Sequence, residues 1–279
     1  MAGTVAPGGA YVPRRTGGVS GQVTTSPENA ATLWGMPNSS SRHDASRPWT
    51  GALSGLCHVL FFLASLALPG ILGQQGGAGI ITPYSTDAEV AHFLSSAPRG
   101  VLPVAAFCQA MSALALLLFA ACVPDHLRRI DPRSPQAGAA RTAGTVAAAL
   151  LLLSACAQWV LNRPGTGSAL HVYRAVMDLT FITGAGPQVA TTGLLFGAVA
   201  VAARTTRLLP GWLCWIGIVV AVISALSMLS LLGKAPSPLI PIGRFSGMLW
   251  LLGTSIVLLR RRAATSLTVG SASAVEEPV

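Results

Sequence analysis

From residue 49 to residue 262 the chain alternates long apolar runs with short polar segments that hold most of the charge. Six runs stand out: Gly51–Gly73, Val101–Val123, Thr142–Asn162, a segment within Ala175–Ala203, Gly211–Leu232 and Pro241–Leu259. A helix needs about 20 apolar residues to cross a hydrocarbon layer of ~30 Å, so each run predicts a transmembrane helix. The sixth is the shortest. Its charge-free stretch, Phe245–Leu259, has only fifteen residues, so Arg244 is expected at the boundary or snorkelling to it. Between the first two runs, Thr86-Asp87-Ala88-Glu89 has capping-box spacing, and Val90, Phe93 and Leu94 follow at helical spacing. That predicts a short amphipathic helix over about 87–96, lying on the outer membrane surface or capping the bundle, after a flexible lead-in over Gln74–Ile81. The predicted fold class is all-α: a polytopic membrane helix bundle with six transmembrane helices and one short amphipathic outer-loop helix.

The ends are different material. Residues 1–48 are rich in Gly, Ser, Thr, Pro and Asn and carry only scattered apolar side chains. Such a segment cannot bury enough surface to offset the entropy of ordering it. Arg14 and Arg15 are followed by Thr16-Gly17-Gly18, so no secretory signal is expected, and translation from Met36 in place of Met1 stays open. The expected organisation is a disordered cytoplasmic N-terminal tail (1–48), a six-helix transmembrane domain (49–262) and a disordered cytoplasmic C-terminal tail (263–279).

Composition and charge sharpen this picture. Apolar residues make up 52% of the 279 and charged residues 10%, against about 25% charged in a soluble domain. The net charge of +9 is spread between the runs, which favours anionic lipid headgroups over nucleic acid as a partner. Counting the flanks of alternate runs gives thirteen Lys and Arg on one side and five on the other (Arg99, Arg163, Arg174, Lys234 and Arg244). The positive-inside rule then puts both termini in the cytoplasm. Trp49, Trp212 and Trp215 fall near the inner boundary and Trp159 near the outer one, as interfacial aromatics do. The five cysteines lie in or beside apolar runs without a CxxC pair, and are expected to act as small apolar packing residues.

Polar residues inside a span are costly and therefore the first candidates for a site. Asp178 is the only acid within a run. Two placements are open: at the outer interface, paired with Arg174 one turn earlier, or turned into the bundle and paired with Arg244. Gln109, Gln158 and Gln188 reach the outer half of the membrane from three different spans, and Ser224, Ser227 and Ser230 recur every third residue. Facing one another they would line a vestibule; facing neighbouring helices they would simply hold the bundle together. Gly184-Ala185-Gly186-Pro187 predicts a kink in the fourth span through Gly184, Gly186 and Pro187, because proline removes a backbone hydrogen bond. Broken helices of this kind form sites in transporters. Gly193 and Gly197, with Gly217, Ala221 and Ala225, make small-residue faces for close packing within or between subunits. His58 has no second ligand at metal spacing and is expected to be packed and neutral. No HExxH, GxSxG or phosphate-cradling loop is present, so no catalytic residue, metal or cofactor is expected.

The segments STDAEVAHFLSSAPRGVL, DLTFITGAGPQVATTGLLFGAVAVAARTTRLLPGWLCWIGIVVAVISAL and LWLLGTSIVLLRRR occur in that order after the first span. Over about residues 51–262 the chain resembles a widespread set of actinobacterial six-helix integral membrane proteins that share a domain of unknown function. That resemblance implies a bacterial cytoplasmic (inner) membrane location and carries no activity. The first functional expectation is a non-enzymatic membrane component acting by helix association, as a homo-oligomer or with another membrane protein. The second is a small transporter or permease with a polar site at the kinked fourth helix.

Overall fold

The computed structural model describes residues 47–71, 81–96, 102–163, 165–166 and 169–273, with backbone alone for 47–49, 69–71, 96, 102 and 262–273. All regular structure among them is helical. The helices are α1 (Arg47–Ile71), α2 (Asp87–Ser96), α3 (Leu102–Ile130), α4 (Pro135–Leu161), α5 (Leu170–Gly184), α6 (Gly186–Thr205), α7 (Gly211–Leu226) and α8 (Leu239–Ser273), with a 3₁₀ turn over Ser227–Leu231 after α7. Six spans, with α5 and α6 forming the fourth and the 3₁₀ turn extending the fifth, are long and apolar enough to cross a membrane.

The spans close into a ring. Helix α1 packs on α3, α3 on α4, α4 on α5 and α6, α6 on α7, α7 on α8, and α8 back on α1. The fourth span lies deepest: 67% of its most apolar window is buried, against 39–50% in the others. Large side chains such as Leu60, Phe107, Leu118 and Leu249 point away from the bundle, as lipid contact requires. Glycines set the closest crossings. A Cβ on Gly55 would stand 2.4 Å from Ser255 Oγ and 3.1 Å from the Phe119 ring, so α1, α3 and α8 meet at that point only because no side chain intervenes.

The sequence boundaries shift where local chemistry outweighs hydropathy. Helix α3 runs on through Pro124 to Ile130, past the expected end at Val123; Leu127 is fully buried and Asp125 pairs with Arg141 of α4 at 2.9 Å. Those contacts offset the hydrogen bond that an interior proline removes. Helix α4 starts at Pro135 behind an extended Ser134, a proline-first start that hydropathy does not register. Helix α8 continues to Ser273, so residues 263–273 are helical where a disordered tail was expected; Ala263-Ala264 and the lack of proline favour continuation. The tail expectations for 1–46 and 274–279, and the lead-in over 74–80, lie outside the described residues. Cys108 and Cys214 are buried in the packing, whereas Cys57 and Cys156 are exposed on the bundle surface, so only part of the set packs as expected.

Helix α2 spans the expected residues, and its capping box is reciprocal: Thr86 N–H donates to Glu89 Oε2 at 2.7 Å and Glu89 N–H to Thr86 Oγ1 at 3.3 Å. Val90 is fully buried against Tyr173 and Met177, which docks α2 onto α5. The bond from the Thr86 backbone, then the one with its hydroxyl, holds the Glu89 carboxyl below the usual glutamate range. A depressed folded-state pKa contributes stability above the unfolded value, ~4.3, and loses it as pH falls through the folded one. Amide exchange in residues 87–96 should therefore accelerate as pH is lowered below about 4, after correction for the intrinsic rate, and Glu89→Gln should flatten that dependence.

Candidate functional site

The fourth span is two helices. At Ala185 (φ −112°, ψ −114°) the backbone leaves helical geometry, α5 having ended at Gly184 and α6 beginning at Gly186 with Pro187 in its first turn. With 15 residues before the break and 20 after it, it lies about 22 Å and 30 Å from the two ends. The break therefore lies nearer the α5 end of the fourth span. Glycines permit the geometry because neighbouring helices press on both sides. A Cβ on Gly184 would meet Ser154 Oγ at 2.3 Å, and one on Gly186 would meet Ser230 Oγ at 2.6 Å and Ser227 O at 2.9 Å.

A break frees backbone groups in a medium that cannot solvate them. Polar side chains on three other spans donate to carbonyls at the break, and a fourth span supports one of them. Arg244 of α8 donates through Nη2 to the Gly184 carbonyl, and the same nitrogen lies 3.4 Å from Gln188 Oε1. Ser227 Oγ donates to Gly186 O at 3.2 Å. Ser154 Oγ donates to Thr180 O at 3.0 Å and accepts from Gln109 Nε2 at 3.1 Å. The Arg244 guanidinium also sits over the Phe62 ring, 5.1 Å from its centroid. An arginine costs up to roughly 2.5–3.5 kcal/mol to insert at a helix centre and less near a helix end, where Arg244 stands. A charge-assisted hydrogen bond of about 1.5–3 kcal/mol, the negative end of a helix dipole at ~0.3–2 kcal/mol and a ring face at ~0.5–2 kcal/mol are together of the same order.

Beside the break a small cavity of about 20 Å³ opens between α1, α6, α7 and α8, room for one or two water-sized occupants. His58, Phe62, Gln188, Thr192, Ser224 and Arg244 supply its functional lining. Gln188 Nε2 donates to Thr192 Oγ1 at 3.0 Å, which turns the glutamine oxygen towards Arg244. His58 is held to α3, with Nδ1 2.8 Å from Ser112 Oγ and 3.0 Å from Ser112 O. Ser112 is fully buried and does not line the cavity, so this serine–histidine contact joins two helices and does not present a nucleophile to a substrate.

The candidates from sequence divide. Arg244 and Gln188 come together at the break, and Gln109 reaches it from the other side, its Nε2 3.8 Å from where a Gly184 Cβ would stand. Neither expected partner joins Asp178. Arg174 turns to α2 and its leading strap, meeting Asp87 at 2.5 Å, Ser85 O at 2.8 Å and Pro83 O at 3.2 Å. Arg244 bonds Gly184, six residues and about 9 Å further along α5, where the broken helix end offers a carbonyl already carrying partial negative charge. Asp178 Oδ1 is left buried with no hydrogen-bond partner among the described residues, as is Gln158 Oε1, and neither residue lines the cavity. The serine vestibule is not formed either: Ser224, Ser227 and Ser230 are buried in the packing against Gly186, Gly193 and Gly243. Thr192 and Phe62 were missed, although Thr192 follows Gln188 and Phe62 follows His58 at i,i+4, a polar pair and a ring on cavity-facing helix surfaces.

Together these features define a class: a multi-pass α-helical membrane protein with one interrupted span and a small polar cavity at the interruption. Comparison with protein-family models, with curated proteins and with solved structures found no match to narrow that class further.

Proposed function

We propose that this membrane protein is a small permease-type protein that holds a small polar solute inside its bundle, at the break in the fourth span, in a non-catalytic role. The observation that carries this is Arg244. Arg244 lines a cavity beside the break, and no carboxylate lies within 4 Å of its guanidinium among the described residues. A structural cation in a bilayer is ordinarily matched by an acid; one matched by a helix end and a neutral amide retains capacity for a ligand. Association through the small-residue faces has less support, because those faces are occupied within the chain. Gly193 packs on Ser224 and Ala221, Gly197 on Ala221, and Gly217 on Trp250 and Ala200. We also propose, from the arginine distribution and the family resemblance, a bacterial cytoplasmic membrane with both termini inside.

The test is a thermal-stability screen of the purified full chain in detergent against small solutes of differing charge. At least one should raise the melting temperature saturably, and Val189→Leu, which adds a methylene to the cavity wall, should abolish that gain. A screen in which no solute responds, or in which Val189→Leu responds like the wild type, would overturn the reading.

A further inference from the structure

We infer that the cavity at the break is an anion site, taking one singly charged group of halide or carboxylate size against the Arg244 guanidinium. The inference rests on the solute-site reading above and adds the class of solute. Three independent features point the same way. Arg244 Nη2 is spent on Gly184 O and Gln188 Oε1, but Nε is buried without an acceptor among the described residues. Asp178, the counter-ion that the sequence offered, forms no ion pair with Arg244, so the guanidinium charge is not neutralised by a carboxylate among the described residues. The first turn of α6 also begins at the break, bringing the positive end of a 20-residue helix beside the negative end of α5 that Arg244 Nη2 already engages.

The remaining wall suits a small anion. Thr192 and Ser224 carry hydroxyls there, and Phe62, Val189, Phe196 and Met248 make the rest of the wall apolar. A cavity of about 20 Å³ is of the size that holds one or two waters, which admits a halide or one carboxylate and excludes a bulky organic anion lodged whole. The anionic group comes from solution or from a lipid headgroup, whose larger phosphodiester would present only a charged oxygen to Arg244.

The purified chain is titrated with chloride, bromide and formate at constant ionic strength against a large organic anion, with melting temperature as readout. A parallel arm compares nanodiscs of phosphatidylcholine alone with discs containing phosphatidylglycerol. The wild type should be stabilised saturably by the small anions or by the anionic lipid, and the responding arm identifies the source. Arg244→Gln should weaken the apparent affinity roughly tenfold or more, the loss of a charge-assisted contact. Should that variant not fold, Gln188→Glu keeps the proposal testable: it places a carboxylate 3.4 Å from Arg244, and should raise stability without added anion while abolishing the anion response. Stabilisation by neutral or cationic solutes alone, lost in Val189→Leu, would overturn the anion class and leave the solute site standing. No response to any solute would overturn both, and a wild-type anion response surviving Gln188→Glu would place the anion elsewhere and overturn this site.

Discussion

Gly193→Val is expected to be among the most destabilising single changes in the bundle, costing about 3 kcal/mol, the upper end for overpacking a tight core. An added Cβ would stand 2.4 Å from Ser224 Cβ and 3.2 Å from Ala221 O. These are a branch point and a backbone oxygen, not the flexible end of a side chain, so α6 and α7 must move apart. Ser224→Gly in the same chain should recover more than half of the loss, because it removes the nearest obstacle. Gly253→Ala supplies the control: its Cβ would meet only Leu213 Cδ1 at an ordinary 3.5 Å. Reversible unfolding in mixed micelles, or melting temperature where unfolding is irreversible, reads all three. The result also separates the two functional readings. Were the glycine face kept for another subunit, Gly193→Val would leave the monomer as stable as before and abolish only an oligomer.

Arg244→Gln and Asp178→Asn are expected to be independent. Arg244→Gln should cost about 2 kcal/mol, since it leaves the Gly184 carbonyl without its charged donor in a medium that offers no substitute. Asp178→Asn should fall within about 0.5 kcal/mol of the wild type, because its carboxylate makes no ion pair to lose. The double variant should equal the sum to within about 0.5 kcal/mol. A coupling energy above ~1 kcal/mol would mean that the two side chains pair in the membrane, contrary to the geometry described above. The outcome decides whether Arg244 serves the helix end and the cavity or an acid near the surface.

The helix α2, the six spans and the interruption near Gly184 were legible without coordinates because each rests on local information. Apolar run length sets spanning capacity, the Thr86–Glu89 spacing encodes a cap closed within one turn, and Gly-Ala-Gly-Pro weakens a helix wherever it stands. Boundaries were less legible where a long-range contact intervened. Pro124 reads as an end until Leu127 is buried and Arg141 meets Asp125.

The site divides along the same line. Composition and order determined that the protein is a helical membrane bundle with an arginine and a single acid near the ends of two spans, and hydropathy alone suffices for that. Only the tertiary structure decided which partner each charge finds. A side chain as long as arginine can reach several levels of a neighbouring helix, and its choice depends on where that helix breaks and how the ring of spans closes. The sequence pattern treated Asp178 and Arg244 as opposite charges at similar depth. The packing instead set Arg174 on the α2 strap, Arg244 on the open end of α5, and His58, Gln188 and Thr192 around one cavity. Those side chains come from helices far apart in sequence, and no periodicity along one chain segment records how the helices meet.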